Sequence, residues 1–463
     1  MSVVDNNLDF QEKFEELLLV DNKTELHAFL NNLNISDVAQ LIEDNEDHAT
    51  DIMAVLSVHR AASTFKILEL GIQKDIIHDL QPLKIAALLN ELPADDRTSF
   101  LEELPTSAVR ELIKLLNPEE RKITLSLLGY PEGSVGRLMT PDYIAVQSDW
   151  TIAEVLEHIR EEGQNSETID VIYVVNDQGQ LVDDVRIREF LLSKPEQLVS
   201  DLTDGRYIEL NVYDDQEMAN QVFKMNNRVA LPVVDNNNFL LGIVTIDDVL
   251  WVANEEFSED MQKVGGTEAL EEPYLEIAFS KLFKKRVGWL IVLFLGEMLT
   301  ATAMANYEME MEKALVLTLF IPLIISSGGN SGSQASSLII QALAVGEVTL
   351  SDWWHVMRRE IFSGLFLGAV LGIIGFTRVI LWSQIIPDVY GPHYMLIGMA
   401  VGLSLIGVVL FGTLTGSMLP IILKRLGADP AVSSAPFVAT LVDVTGLIIY
   451  FNCAYLFLKG ILL

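Results

Sequence analysis

Five long apolar segments dominate the chain after residue 286. Each is long enough to cross a hydrocarbon core about 30 Å thick as a helix. A segment in that environment must satisfy its backbone hydrogen bonds internally, so these repeated segments predict a bundle of membrane-spanning helices. The predicted spans are residues 287–305, 314–345, 361–382, 394–423 and 432–458.

Charged residues between the spans predict their orientation. Basic side chains precede the first span at 284–286, and they follow the second and fourth spans at 358–359 and 424–425. The loops at 306–313 and 383–393 are acidic to neutral. Because cytoplasmic loops carry the excess of Lys and Arg, we expect the N-terminal region in the cytosol and the C-terminus outside.

Most of the negative charge precedes the spans. Of 31 basic and 65 acidic side chains, residues 1–286 hold 24 and 55, a net charge of about −31. This surface repels nucleic acid and anionic lipid, so no nucleic-acid partner is expected. Its self-repulsion favours bound cations as partners, and a surface tuned only for solubility is the alternative.

Residues 10–130 read as short amphipathic helices. Pro82, Pro93, Pro105 and Pro118 recur at intervals of 11, 12 and 13 residues. Proline suits the first turn of a helix and disfavours helix just before it, so each marks a turn between helices. Short helices of this kind bury their apolar faces by stacking, which predicts a small superhelical domain.

An internal repeat follows. Residues 174–190 align on residues 233–249 with a constant offset of 59. Each half runs from an amphipathic helix into an apolar strand, a polar turn and a second strand. The pattern resembles a tandem CBS-domain pair, and Met139–Thr140–Pro141 opens the first half as that resemblance requires.

CBS pairs bind nucleotides, metals or nothing. In those that bind adenosine nucleotides, a hydroxyl and an acid about three residues apart hold the ribose, and Thr245 and Asp248 have that spacing. The resemblance implies an asymmetric site, with Arg188 near phosphates and ATP as a candidate ligand. In the first half, the hydroxyl, the aspartate and a glycine are replaced by Arg186, Glu189 and Asp183.

The connector after the repeat keeps helical periodicity and is strongly acidic. Glu255, Glu256, Glu259 and Asp260 cluster within about two turns, a spacing at which like charges weaken an isolated helix. A solvated acidic face explains them without a function. A divalent ion that bridges them to another acidic surface is the functional alternative.

The second predicted span is unusually polar. Ser326, Asn330, Gln334 and Ser337 fall on one stripe of a helix. Gly328, Gly329 and Gly332 lie beside that stripe and let polar oxygens approach a wet path. Interhelical hydrogen bonding is the alternative, but so dense a polar run favours a pore lining.

The fifth predicted span holds Asp443 near its centre. An ionised carboxylate there costs at least ~2.5 kcal/mol, so it must face water, a partner or an ion. Pro436 is expected to free the carbonyl of Val432, because proline lacks the N–H that would occupy it. Glu297 in the first span is a further intramembrane acid, but it belongs to no motif.

Two membrane motifs and the domain order resemble the MgtE family of Mg²⁺ channels. The motifs are PLIISSGGNSGSQ in the second span and DPAVSSAPFVATLVDVTG in the fifth. The resemblance implies a multidomain fold with four parts. These are an α-helical superhelical N-terminal domain at 1–135, an α/β tandem CBS pair at 136–252, a connector helix with an amphipathic segment at 253–286, and a five-helix all-α transmembrane domain at 287–463.

The resemblance also implies a homodimer with one pore on its two-fold axis. Asp443 would bind Mg²⁺ with help from the carbonyl of Ala439, one turn earlier. Asn330 would face the hydrated ion, and Asp429 would lie at the cytoplasmic mouth. Mg²⁺ prefers an octahedral shell of oxygen ligands and keeps its waters, which suits such a pore.

For regulation, the resemblance implies that cytosolic Mg²⁺ bridges acidic groups of the N-terminal domain, the CBS pair and the connector, and so closes the pore. Without the metal, self-repulsion would separate these surfaces. Asp95 and Asp96 are the expected partners in the N-terminal domain. The remaining candidates are Glu217 and Asp248 in the second CBS half and Glu256, Glu259 and Asp260 on the connector.

Two other functions remain open on the sequence alone. A transporter of Co²⁺ or Mn²⁺ on the same scaffold is one, although softer metals favour imidazole or thiolate, and the predicted pore segments contain no His. A membrane-anchored nucleotide sensor is the other, although an anchor needs neither Asp443 nor a polar span. No nucleophile–base pair or phosphate loop points to an enzyme.

Overall fold

The computed structural model of the protein describes residues 10–11, 13–14, 16–17, 23–270, 274–275, 277–386 and 389–462. Parts of the predicted connector, 271–273 and 276, and residues 387–388 of a predicted external loop lie outside the described residues. The chain divides into two compact units, Met1–Asn254 and Glu255–Leu463.

The first unit begins with short stacked helices, which we call the array, and they confirm the predicted N-terminal helical domain. They are α1 Lys23–Asn32, α2 Ile35–Glu43, α3 Ala49–Val55, α4 Val58–Phe65, α5 Leu70–Asp79, α6 Pro82–Glu91, α7 Ala94–Glu102, α8 Thr106–Ile113 and α9 Pro118–Leu127. Pro82 and Pro118 open α6 and α9, where their missing N–H costs nothing. Pro93 and Pro105 immediately precede α7 and α8.

The tandem repeat folds as two α/β halves, as predicted. Their elements are α10 Val135–Leu138, β1 Ala145–Gln147, α11 Ile152–Glu162, β2 Val171–Val175, β3 Leu181–Arg186, α12 Ile187–Leu192, β4 Leu210–Asn211, α13 Gln216–Asn226, β5 Ala230–Val234 and β6 Leu240–Thr245. In each half the first strand pairs parallel with the second, and the second pairs antiparallel with the third. Thr151 caps α11 and Asp215 caps α13.

A buried cluster joins the two halves. Tyr173 from β2 and Ile243 from β6 are both 0% exposed and belong to one core. Tyr143 also donates a hydrogen bond across the halves to the carbonyl of Leu240, at 3.2 Å. The internal repeat therefore builds one packed pair rather than two separate modules.

One long helix, α14 Ile246–Val264, follows β6 directly. The boundary between the first and second units falls within it, after Asn254. The boundary that the sequence suggested between residues 252 and 253 also falls inside this helix. The chain thus passes from the CBS pair into the connector without a loop.

In the second unit, five helical segments of the described residues are long and apolar enough to cross a membrane, which confirms the predicted five spans. The helices are α15 Phe279–Asn306, α16 Glu308–Lys313, α17 Leu315–Thr318, α18 Ile321–Ala344, α19 Trp353–Ile385, α20 Tyr394–Arg425 and α21 Ala435–Leu458. The third span is longer than predicted, because its helix begins at Trp353 rather than near residue 361.

Glycines set the closest helix contacts of this bundle. A Cβ added at Gly416 on α20 would overlap the carbonyl oxygen of Gly332 on α18. A Cβ at Gly332 would in turn lie 2.9 Å from the carbonyl oxygen of Gly412. The two backbones therefore touch directly, as small residues permit in membrane helices.

Candidate functional site

A polar stripe on α18 is exposed among the residues that the structure describes. Ser326, Asn330, Gln334 and Ser337 are all exposed, whereas Gly328, Gly329 and Ile324 on other sides of the helix are buried. A polar face at membrane depth requires water or another protein surface beside it. Within the part of the chain that the structure describes, the predicted stripe therefore forms a surface and is not covered by packing.

Asp443 lies beside the same helix. A Cβ added at Gly329 would lie 3.9 Å from Asp443 Oδ1 and 3.4 Å from the Cβ of Ala439. The missing side chain of Gly329 lets α21 come this close to α18. Because Asn330 follows Gly329 directly, the structure places the predicted pore residues Asn330, Ala439 and Asp443 at one level of the bundle.

The segment before α21 departs from the sequence prediction. Pro436 lies in the first turn of α21, where no intrahelical donor is lost, so the expected free carbonyl of Val432 does not arise from it. Hydroxyl groups of α18 hold this segment instead. Ser336 donates to the carbonyl of Ser433 at 2.8 Å, and Ser333 donates to the carbonyl of Ala435 at 3.1 Å.

The structure gives Glu297 surroundings that its sequence context did not indicate. It lines a cleft of about 590 Å³ between α15 and α21, together with Ala439 and Thr440. The two helices are close at this level, since a Cβ at Gly296 would lie 2.5 Å from Thr440 Cγ2. The carboxyl group of Glu297 lies near that of Asp443. An acid inside an apolar span was the only sequence signal of this position.

A lysine that the sequence did not single out organises the end of α14. Lys263 Nζ donates to Asp429 Oδ2 at 2.6 Å and forms an ion pair with Glu259. Asp429 also accepts from the backbone N–H of Ala431 at 2.8 Å, which caps the short turn before α21. Two predicted cation ligands, Asp429 and Glu259, are thus bound to an ammonium group.

The same neighbourhood raises the pKa of Asp260 to about 6. Burial is the main cause, and the charge of Asp429 adds to it while Lys263 opposes it. Burial alone would lower the pKa of Lys263, but its hydrogen bonds to Asp429 and Glu259 outweigh burial and raise it. At the end of α14, Glu259 and Asp429 thus share one ammonium group, and Asp260 lies close to both charges of the Lys263–Asp429 pair.

The first unit contains a second concentration of carboxyl groups, where α7 meets the start of α14. We call it the interface cluster and define it as Asp95, Asp96, Glu167, Asp247 and Asp248. Asp95 is 6% exposed, and its Oδ1 atom has no hydrogen-bond partner. Lys66 brings a cation to the cluster, because its Nζ lies 3.3 Å from Asp96 Oδ2.

Burial, together with repulsion between neighbouring acids, raises the pKa values of the interface cluster. Burial raises the pKa of Asp248 to about 7, with contributions from Asp247 and Asp96. The pKa of Asp95 is raised well above its ordinary value by burial and then by the charge of Asp248. Burial likewise raises the pKa of Glu167, against the opposing charge of Lys66. These carboxyl groups lack sufficient positive charge.

Arg97 fixes the array side of the cluster. Its side chain is fully buried, and it donates to Thr124 Oγ1 at 2.9 Å and to the carbonyls of Leu89 and Leu92 at 3.0 and 3.1 Å. It also pairs with Glu120. Since its donors are used inside the array, Arg97 positions α7 but does not neutralise Asp95 or Asp96.

The predicted ribose-binding pair, Thr245 and Asp248, adjoins the interface cluster, to which Asp248 belongs. Thr245 Oγ1 lies 2.5 Å from both Asp247 Oδ1 and Asp248 Oδ2. Arg188 and Glu189 lie exposed on α12 in the other half. Asp183, which replaces a glycine there, is 2% exposed and accepts from the N–H groups of Asp204 and Gly205 at 2.7 and 3.0 Å.

The two remaining predicted cation ligands are Glu217 and Glu256. Glu217 lies exposed in the first turn of α13, and Glu256 contributes to the charge around Asp260. Among the described residues, no three His, Cys, Asp or Glu side chains are already arranged as a metal-ligand set. The interface cluster nevertheless fits an oxygen-binding cation, because its donors are carboxylates and one buried oxygen lacks a partner.

Family comparisons match most of the chain. A family described as a divalent cation transporter, MgtE, matches residues 321–453. The MgtE intracellular N domain matches residues 33–133, and the CBS domain matches residues 135–193 and 200–255. The order of the matched parts agrees with the order of the two units and their subdivisions.

Individual relatives agree with the family matches. The chain is 37% identical to a magnesium transporter MgtE of Thermus thermophilus over 76% of each chain. It is 28% identical to a magnesium transporter MgtE of Bacillus subtilis over 96% of this chain and 97% of the relative. A crystal structure of the cytosolic domain of the Mg²⁺ channel MgtE in complex with ATP is 29% identical, with a TM-score of 0.51, and covers 52% of this chain and 99% of that one.

Proposed function

The chain belongs to the MgtE family of divalent cation transporters, and from that premise we propose that it is a Mg²⁺-selective channel of the cell membrane that cytosolic Mg²⁺ closes. In this proposal the four parts keep the boundaries 1–135, 136–252, 253–286 and 287–463. The N-terminal parts lie in the cytosol, and the chain ends outside.

The uncovered polar stripe of α18 carries the proposal. A monomer would expose Asn330 and Gln334 to lipid, so a second copy of the chain is the simplest cover for that face. Two copies would then enclose a polar path along a shared axis. Asp443 beside Gly329 supplies one carboxylate per copy, and two such charges balance one Mg²⁺.

The donors favour Mg²⁺ over softer metals. Asn330, Asp443 and the backbone carbonyl of Ala439 offer oxygen atoms only, and Mg²⁺ binds through oxygen while it keeps several of its waters. Co²⁺ and later transition metals gain more from nitrogen or sulfur ligands. Cys453, the only thiol of the chain, lies ten residues beyond Asp443 on α21.

Two acidic sites support the closing role of cytosolic Mg²⁺. In the first unit, a cation bound by Asp96 and Asp248 would hold the N-terminal array against the CBS pair, with Asp95 as a further ligand. In the second unit, a cation near Asp260 would add to the charge that Lys263 already supplies at Asp429. Glu217, Glu256 and Glu259 are the remaining proposed regulatory ligands.

ATP is the proposed nucleotide of the CBS pair. The structural relative of the cytosolic part was determined with ATP, and it shares the fold of the first unit at 29% identity. In this chain the ribose would meet Thr245, whose hydroxyl already lies beside Asp248. Arg188 and Glu189, in the other half, are proposed to contact the rest of the nucleotide.

Uptake by purified channel in liposomes tests the pore assignment. We expect Asp443→Asn to reduce Mg²⁺ influx at least tenfold, because the central carboxylate is lost while the side-chain volume is kept. Glu347→Gln removes an exposed acid between the second and third spans and should leave influx unchanged. Equal influx through Asp443→Asn and the unchanged chain would exclude Asp443 from the ion path.

A further inference from the structure

Lys66 places a cation of the chain itself where the proposed sensor must bind Mg²⁺. It immediately follows α4, and its ammonium lies 3.3 Å from Asp96 Oδ2. The side chains of Lys66 and Asp96 are 28% and 21% exposed, so solvent screens this pair only partly. Burial alone would lower the pKa of Lys66, but the charges of Asp96 and Glu167 outweigh it.

The Lys66 ammonium cannot neutralise the negative charge of the whole interface cluster. The cluster has five carboxyl groups, and Lys66 brings one positive charge to them. Arg97, the next residue after Asp96, is turned away toward Thr124 and Glu120. Asp95 is 6% exposed, and among the described residues its Oδ1 atom has no hydrogen-bond partner, so one buried acceptor oxygen of the cluster stays unpaired.

A divalent cation and Lys66 would nevertheless compete. Both need the carboxylate of Asp96, and their like charges repel each other at the short distances that one cluster allows. When no Mg²⁺ is present, Lys66 offsets part of the repulsion between α7 and the start of α14. When Mg²⁺ arrives, the same ammonium opposes its binding.

We propose that Lys66 is a built-in competitor that sets how strongly the interface cluster responds to cytosolic Mg²⁺, an inference that rests on the proposed sensing function. Without the metal, Lys66 stabilises the contact between the array and the CBS pair. When the metal binds, Lys66 reduces the additional stabilisation that the metal provides. The array and the CBS pair are therefore less tightly coupled to Mg²⁺ than a cluster of carboxylates alone would make them.

Hydrogen–deuterium exchange of α7 in the full-length chain tests this role. The chain is compared in EDTA, in EDTA with KCl at the ionic strength of the MgCl₂ sample, and in saturating MgCl₂. For Lys66→Gln we expect faster exchange than in the unchanged chain in EDTA, and equal or slower exchange in Mg²⁺. The Mg²⁺-dependent protection should grow about tenfold, a typical size for coupling between linked sites.

Two matched variants separate charge from loss of side-chain packing. Lys66→Arg keeps the positive charge and should behave like the unchanged chain. Lys114→Gln removes an array lysine that is 65% exposed and paired with Glu111, and it should not change the exchange of α7. An effect of Lys114→Gln equal to that of Lys66→Gln would overturn the proposal.

The outcomes distinguish this inference from the function on which it rests. If the unchanged chain responds to Mg²⁺ and Lys66→Gln responds equally, the competitor role is wrong and the sensor stands. If neither chain shows Mg²⁺-dependent protection, both ideas are wrong. If KCl alone reproduces the effect of Mg²⁺, the response is general screening, and a specific competition at Asp96 is wrong.

Discussion

The raised pKa of Asp248 predicts that the proposed sensor binds Mg²⁺ more weakly in acid. The pKa of this carboxyl is about 7, against 3.8 as its ordinary value, because it is buried among other acids. Mg²⁺ needs the ionised form, so binding must displace the proton. Between pH 8 and pH 6 a group with a pKa of about 7 loses about tenfold of its ionised population, and affinity should fall by about that factor.

The stability of the metal-free protein should change in the opposite direction. For an acid with a raised folded pKa, the folded state holds more protons than the unfolded state between pH 3.8 and about 7. The free energy of unfolding therefore decreases as pH rises through this window, and it flattens above it. Acid thus stabilises the interface without the metal and weakens the binding of the metal.

Calorimetric titration of MgCl₂ into the full-length chain at pH 6, 7 and 8 measures this effect. Repeating it in two buffers of different ionisation enthalpy counts the protons released, which should rise below pH 7. Asp248→Asn removes one of the titrating protons, so its remaining affinity should depend less on pH than that of the unchanged chain. An affinity that is equal at pH 6 and pH 8 would refute the assignment of Asp248 to the cation site.

Two further predictions concern the second unit. Lys263→Met removes the ammonium between α14 and Asp429. We expect about threefold higher Mg²⁺ influx in liposomes at low internal Mg²⁺, because a partly exposed ion pair contributes up to about 1 kcal/mol. Unchanged influx would contradict the idea that Lys263 stabilises the closed channel. Gly416→Ala places a methyl group against the carbonyl of Gly332 and should lower the thermal stability of the solubilised channel by several degrees. In Gly288→Ala the new Cβ would lie 3.8 Å from its nearest neighbour, Glu268 Oε1, so this matched change in α15 should leave stability unchanged.

Much of the fold was predictable because it depends on local patterns. The spans follow from hydropathy, the helical array from its regular prolines, and the CBS pair from a repeat at a fixed offset of 59 residues. Each of these patterns can be read from neighbouring residues or from two copies of one repeat. The polar stripe of α18 was also visible as a helical period, although its exposure depends on which neighbours the bundle supplies.

The sites were less predictable because their contacts join distant residues. Lys263 and Asp429 are 166 positions apart, so their hydrogen bond cannot be read from either motif. Lys66 and Glu167 join the interface cluster only when the array packs on the CBS pair. Pro436 was misjudged for a local reason, since the helix begins one residue before it and not at Val432.

The structure also limits which acidic groups of residues 1–286 can take part in a response to Mg²⁺. A net charge of about −31 spread over residues 1–286 is mostly screened, because exposed charges separated by more than about 8 Å interact weakly at physiological ionic strength. A response to Mg²⁺ therefore has to come from carboxylates that are both close together and partly buried. Asp95, Asp96 and Asp248 meet both conditions, and their raised pKa values are the physical sign of it. It follows that removing many exposed acids of the array should change Mg²⁺ sensing less than removing one of these three.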